Sequence, residues 1–324
     1  MNMAQVEEKE RIDIKQRFFR FNTLIALVVS VIIIYIFLTR FDLTGTASII
    51  KNSNLFLLIC GLVTFYVFLP LRGYRWKGLL SEAKINLPTL ELTRFYILAW
   101  FANSILPARI GDIYRAHLLK KNRAISFPLS LGVIFSERIF DLAITAILVI
   151  SSGILYLNLV TAPELHGLLL KGMIIICLVV GLFVLFSWRA GWLQRFIPYK
   201  FRSYYESFTK GLFRSPARLP IISIESLIIW LSEAGRLFFV AWALGVRIDF
   251  MLAVFISQAS LIIMSLPFTP AGLGLVELLM FTVMIPAGFT KEAAGAVVIA
   301  DRLISYWSLI IFGGLHYLFS PRCR

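Results

Sequence analysis

The sequence predicts an all-α membrane protein: about six spanning helices plus two re-entrant or broken hairpins, arranged as an inverted repeat. Three observations lead there. The 324-residue chain is 59% hydrophobic and 15% charged, with a mean hydropathy of +0.83, whereas a soluble domain is about half apolar and about a quarter charged. Several apolar stretches reach the roughly 20 residues that cross a bilayer. A Pro/Gly break followed by an acid, and later by an acidic–arginine cluster, occurs twice inside those stretches, at 106–115 with 136–141 and at 266–277 with 300–306.

Residues 1–20 mix acids and bases and carry no signal-peptide cleavage pattern, so they read as a cytoplasmic lead-in. Residues 21–324 then form a single polytopic membrane domain. Phe21 to Thr39 is a clean span, and Arg40, Asp42 and Lys51 lie in the short loop after it. Asn54 to Leu71 returns across the membrane. A polar segment follows with Arg72, Arg75, Lys77 and Lys84, and Trp76 falls at the expected interfacial depth.

Thr93 to Leu106 is apolar but short, and Pro107 ends it. Residues 107–123 are basic, with Arg109, Arg115, Lys120, Lys121 and Arg123. A long helix over about 126–159 is interrupted by Glu137, Arg138 and Asp141. After a loop at 160–167 without Lys or Arg, Leu168 to Trp188 spans again, and 189–219 is basic. Leu219 to Leu244 is the next span. Phe250 to Leu266 and Leu273 to Ile285 flank the second break, and Glu292 to Phe319 is the last span.

Basic loops stay on the cytoplasmic side. Every basic segment falls inside if 93–123 enters from the cytoplasm and turns back at Pro107. Both termini are then cytoplasmic, and 250–288 dips in from the opposite face or crosses twice. Hairpins entering from opposite faces are what an inverted repeat produces, and its motif-bearing parts are about 93–159 and 250–319. Irregular backbone at that depth survives only against protein or a water-filled cavity.

The formal net charge of +14 comes from 32 Lys+Arg and 18 Asp+Glu. Without a groove-reading or single-strand module it reads as topology and lipid contact, not nucleic acid. Cys60, Cys177 and Cys323 are scattered, as are His117, His166 and His316, so neither a disulfide framework nor a metal centre is expected. No Walker loop or G-x-G-x-x-G is present, and no cofactor is expected.

Arg109, Asp112 and Arg115 follow the first break at helical spacing. A helix start favours an anion, and arginines grip phosphate bidentately; the plainer alternative is a basic turn that only sets topology. Glu137, Arg138 and Asp141 lie within an apolar helix. Each charge costs about 2.5–3.5 kcal/mol at mid-bilayer on insertion scales, so they must face a cavity or lock helices together. Pro270, Gly272, Gly274 and Glu277 form the second break with Pro267, the glycines permitting positive φ. Asp301, Arg302 and Tyr306 repeat the acid–arginine pair on the last span and place a cation and a hydroxyl one turn apart. Glu233 and Arg236 are expected to pair within their own helix.

At these residues the chain resembles the transmembrane, flippase-like domain of the lysylphosphatidylglycerol synthase family. The resemblance rests on Pro107, Arg109, Gly111, Asp112 and Arg115, then Glu137, Arg138 and Asp141, then Pro267, Pro270, Gly272, Gly274, Glu277 and Arg302. Asp112 stands where Glu is also usual, and Ala271 where Gly is frequent. The resemblance covers roughly 15–320. It implies a transporter, not an enzyme, that moves an anionic phospholipid or polyprenyl-phosphate-linked headgroup between leaflets of the cell's inner membrane. A separate lipid-modifying enzyme or glycosyltransferase is the protein partner it implies. Two alternatives stand beside it: a scaffold subunit of a lipid or glycan synthesis complex, and a lipid-phosphate transferase using Asp112, Glu137, Asp141 and Glu277 with a divalent metal.

Overall fold

The computed structural model describes residues 43–106, 109–157, 174, 178, 181, 197–212, 218–265 and 269–320. The expected lead-in, the first span at 21–39, most of the span at 168–188, residues 189–196 and 213–217 of the basic 189–219 segment, and Pro107 and Pro267 lie outside the described residues. Within them the chain is helical and no strand occurs.

A short helix, α1 (Leu43–Lys51), occupies what the sequence suggests is a loop. Asn54 caps α2 (Leu55–Glu82) by accepting from the N–H groups of Phe56 and Leu57 at 3.0 and 3.3 Å. α2 does not end at Leu71. It runs on through Arg72, Arg75 and Trp76, all buried, so these are not an interfacial polar segment. The reason is electrostatic: carboxylates on neighbouring helices meet both arginines at that depth.

α3 (Thr89–Ile105) begins after Pro88, α4 (Ile110–Arg123) follows the first break, and α5 (Phe127–Leu157) is the longest of the described helices. Then come α6 (Tyr199–Gly211), α7 (Leu219–Ala243) with Pro220 in its first turn, and α8 (Phe250–Ser265). A single turn at Pro270–Gly272 leads into α9 (Leu275–Met284). Thr290 caps α10 (Lys291–Arg302), which passes through a π turn (Leu303–Trp307) into α11 (Ser308–Phe319) as one rod.

The order of elements recurs: short helix, long helix, helix, break, short helix, long helix. Packing follows that order. α2 lies on α7, α5 on α8 as α11 on α3, and α6 against α5 as α1 against α10. α2 and α7 run antiparallel: the N–H of Asn54 donates to the carbonyl of Ala243 at one end (2.7 Å), and Arg218 meets Glu82 at the other (3.3 Å).

Polarity is inverted relative to a soluble protein. Leu55 and Phe56 are 69% and 70% exposed, with Ile59, Val63 and Val67 continuing that face, and Ile311, Phe312 and Leu315 do the same on α11. Arg75, Arg115 and Glu137 are 0% exposed. An apolar exterior over an ion-paired interior suits lipid as solvent. By length and composition, α2 and the α10–α11 rod are the described helices able to cross a bilayer; α5 and α7 have the length but carry the charges.

Candidate functional site

Both breaks turn on a residue in the left-handed region. Arg109 has φ 50° and ψ 39°, and Ala271 has φ 47° and ψ 31°. At the first, Gly111 lets α4 start against α3: a Cβ there would stand 1.9 Å from the carbonyl oxygen of Ala99. Its N–H donates to Asn103 Oδ1 at 2.7 Å, so a protein side chain occupies this helix start. At the second, Gly272 and Gly274 have φ of 68° and 87°. The N–H of Gly274 donates to Glu277 Oε2 at 2.7 Å, which fixes that carboxylate in the first turn of α9.

Each break's acid meets the arginine that the sequence spacing pairs with it. Asp112 takes Arg138 through Oδ1 and Oδ2 at 3.0 Å each, and Glu277 takes Arg302 at 2.7 Å. Around them lies one connected lattice. Arg75 reaches Asp141 at 2.6 Å, Glu137 at 2.8 Å and the Ser226 hydroxyl at 2.7 Å. Arg115 reaches Glu137 at 2.7 Å and lies over the rings of Trp76 and Tyr96, at 4.4 and 4.6 Å. The Tyr96 hydroxyl donates to Glu137 and Trp230 Nε1 to Asp141, at 2.9 and 3.0 Å. Arg72 binds Glu233 at 2.6 Å over Trp100 and Trp230. Glu233 also holds Arg236 at 3.2 Å, and Arg236 binds Asp301.

The two breaks meet in space. Arg109 Nη2 donates to the Ser265 hydroxyl at 2.8 Å, just before the second break. Arg109, Thr269, Ala271, Asp301, Arg302 and Tyr306 line one cavity of about 100 Å³, together with Arg138, Arg236 and Trp100. A second space of about 230 Å³ adjoins it through Arg109, Arg138 and Trp230, and lies against the seam of α5 and α8 beside Asp141, Leu142, Ile262 and Ser265. At that seam Leu142 and Ile262 are half-buried and Ser265 is exposed. The Arg138 side chain is 20% exposed.

Of the residues singled out from sequence, Arg109, Arg138, Asp301, Arg302 and Tyr306 line the cavity and Asp141 lines the adjoining space. Asp112 and Glu277 stand one contact behind, holding Arg138 and Arg302. Arg115 and Glu137 are fully buried in the lattice, away from the cavity. Pro270, Gly272 and Gly274 shape the second break. The Tyr306 hydroxyl is committed to protein: it donates to the carbonyl of Ser104 at 3.0 Å and ties the α10–α11 rod to α3. The sequence pattern does not assign Arg72, Arg75, Tyr96 or Trp230 to the lattice, and Glu233 and Arg236 pair beyond their own helix as well as within it. The available signal was arithmetic: acids within apolar helices need cations, and Arg72 and Arg75 lie at i, i+3 directly after an apolar run.

The family described as the lysylphosphatidylglycerol synthase TM region matches this chain over residues 23–313. A UPF0104 membrane protein of Methanocaldococcus jannaschii is 30% identical over 226 residues, 68% of this chain and 95% of its own length. A UPF0104 membrane protein of Pyrococcus horikoshii is 22% identical, over 89% of this chain and 94% of its own. The glycosyltransferase AglD of Haloferax volcanii is 24% identical over 96% of this chain, which covers 56% of AglD. No solved structure matches the chain.

Proposed function

We propose that this chain, which belongs to the lysylphosphatidylglycerol synthase transmembrane-region family of membrane proteins, moves an anionic lipid headgroup between leaflets through the cavity where its two breaks meet. The observation that carries this reading is the cavity itself. Its donors are Arg109, Arg138, Arg236 and Arg302, and it adjoins a space at a helix seam whose outer surface is apolar. A headgroup enters between α5 and α8 while its acyl or polyprenyl chains stay in lipid. Intramembrane charge marks such pathways by default.

The inverted repeat belongs to the same proposal. Equivalent helices α2 and α7 run antiparallel, and the packing pairs of one half recur in the other, which is what a pseudo-two-fold axis in the membrane plane requires. About six spans with both termini cytoplasmic fit this arrangement, in the cell's inner membrane. A relative named as a glycosyltransferase favours a polyprenyl-phosphate-linked sugar as cargo. It also favours a second reading, in which the chain is the membrane scaffold of a separate glycosyltransferase. A metal-using transferase is disfavoured because Asp112, Glu137, Asp141 and Glu277 are each engaged by arginine.

The test is a leaflet assay in sealed proteoliposomes, with fluorescent anionic lipid bleached from outside by dithionite. Wild-type protein empties the protected pool, while Arg138→Ala and Arg302→Ala, at equal folded amounts, slow that loss at least tenfold. Equal rates in wild type, variants and empty vesicles, across several lipids, would sink passive transfer and leave the scaffold reading.

A further inference from the structure

Of the four arginines that line the cavity, Arg138, Arg236 and Arg302 are ion-paired among the described residues and Arg109 is not, and that difference identifies the ligand's charge. Asp112, Glu137 and Asp141 answer Arg75, Arg115 and Arg138. Glu233, Glu277 and Asp301 answer Arg72, Arg236 and Arg302. One arginine is left over. Arg109 lines both spaces, and its partners are neutral: the Ser265 hydroxyl at 2.8 Å and the Met264 carbonyl at 3.4 Å. No carboxylate among the described residues lies within ion-pair distance of it.

Two further donors are buried without a partner in the same cavity. They are Arg302 Nη2 and the Thr269 hydroxyl, on residues 6% and 3% exposed. Buried donors cost free energy until an acceptor arrives, and a surplus charge in a poorly solvated site draws one counter-charge. We infer that the cavity selects a phosphodiester monoanion: one negative charge, carried on two non-bridging oxygens, which can accept from Arg109, Arg302 and Thr269 together. A phosphomonoester, at about −1.5 to −2 near neutral pH, overshoots the surplus. A zwitterionic headgroup brings a cation beside Arg109, where every lattice carboxylate is already engaged. Among polyprenyl carriers, a single phosphate bearing a sugar is such a diester, whereas a pyrophosphate linkage is not.

This assignment rests on the transport reading for the site's role, but binding tests it separately. Quenching of Trp100 and Trp230 is followed in detergent at pH 8 during titration with phosphatidylglycerol (diester monoanion), phosphatidic acid (monoester) or phosphatidylcholine (zwitterion). Phosphatidylglycerol is expected to bind at least tenfold more tightly than either. Arg109→Lys keeps that preference and Arg109→Gln levels it, at unchanged melting temperature. Water-soluble glycerophosphoglycerol, added as competitor, separates the sources: displacement at equal concentration keeps the diester assignment and makes the ligand a solute. Phosphatidic acid binding as tightly as phosphatidylglycerol, or a preference intact in Arg109→Gln, would overturn the proposal. Diester-selective binding without leaflet exchange would instead overturn transport and leave the selectivity standing.

Discussion

At the scale of single residues, the arginines of the interior divide into those whose ion pairs hold the molecule and Arg109, which forms none among the described residues. Arg75 is fully buried and serves Glu137, Asp141 and Ser226 at once. Arg75→Leu leaves Glu137 with Arg115 and Asp141 with Arg138 but one cation short between them, and removing one partner of a buried pair costs about 3–5 kcal/mol. A loss of that size is expected in thermal unfolding of purified protein, while Arg109→Ala, which breaks no ion pair and gives up only hydrogen bonds to neutral acceptors, should cost about 0.5–1.5 kcal/mol. The pairs Asp112–Arg138 and Glu277–Arg302 were legible in the sequence, because the same spacing occurs after both breaks. Arg72 and Arg75 were not. A hydropathy reading ends a span at the first cluster of bases, since it has no knowledge of acids 62–161 positions further along that will neutralise them.

At the scale of helices, backbone approach decides tolerance. Gly111→Ala forces α4 away from the Ala99 carbonyl and is expected to cost about 1–3 kcal/mol, the ordinary cost of overpacking. Gly235 sits mid-helix in α7 with nothing nearer to an added Cβ than Thr64 at 3.9 Å. Gly235→Ala should therefore stabilise by about 0.5–1 kcal/mol by reducing backbone freedom. Melting curves of the two alanine variants, moving in opposite directions, check both. The extents of α5, α7, α8 and α9 were close to those read from apolar runs, because those runs end at Pro, Gly or polar clusters. α1 is short and only moderately apolar, so its sequence resembles a loop, and the π turn at Leu303–Trp307 has no marker in residue type that separates it from the α-helix around it.

For the whole molecule, the antiparallel contact of α2 with α7 puts Glu82 beside Arg218 at one end and Asn54 beside Ala243 at the other, so the turns that follow Glu82 and Ala243 lie at opposite ends. In a cysteine-free background, Lys84→Cys is expected to react with a membrane-impermeant maleimide only from the cytoplasmic face, and Asp249→Cys only from the opposite one. Labelling of both from one face would remove the proposed orientation. The class of the molecule was plain from composition; the meeting of its two breaks was not, because nothing in a linear pattern brings Arg109 to Ser265 across 156 positions. One contact also bears on how the protein is made. Arg72 finds Glu233 161 residues later. At about 5–20 residues per second of synthesis, on the order of ten to thirty seconds pass before that carboxylate exists. During that interval the newly inserted N-terminal half holds an unanswered guanidinium in or beside the bilayer, which makes that half the stage at which insertion chaperones and membrane proteases compete for the unfinished chain.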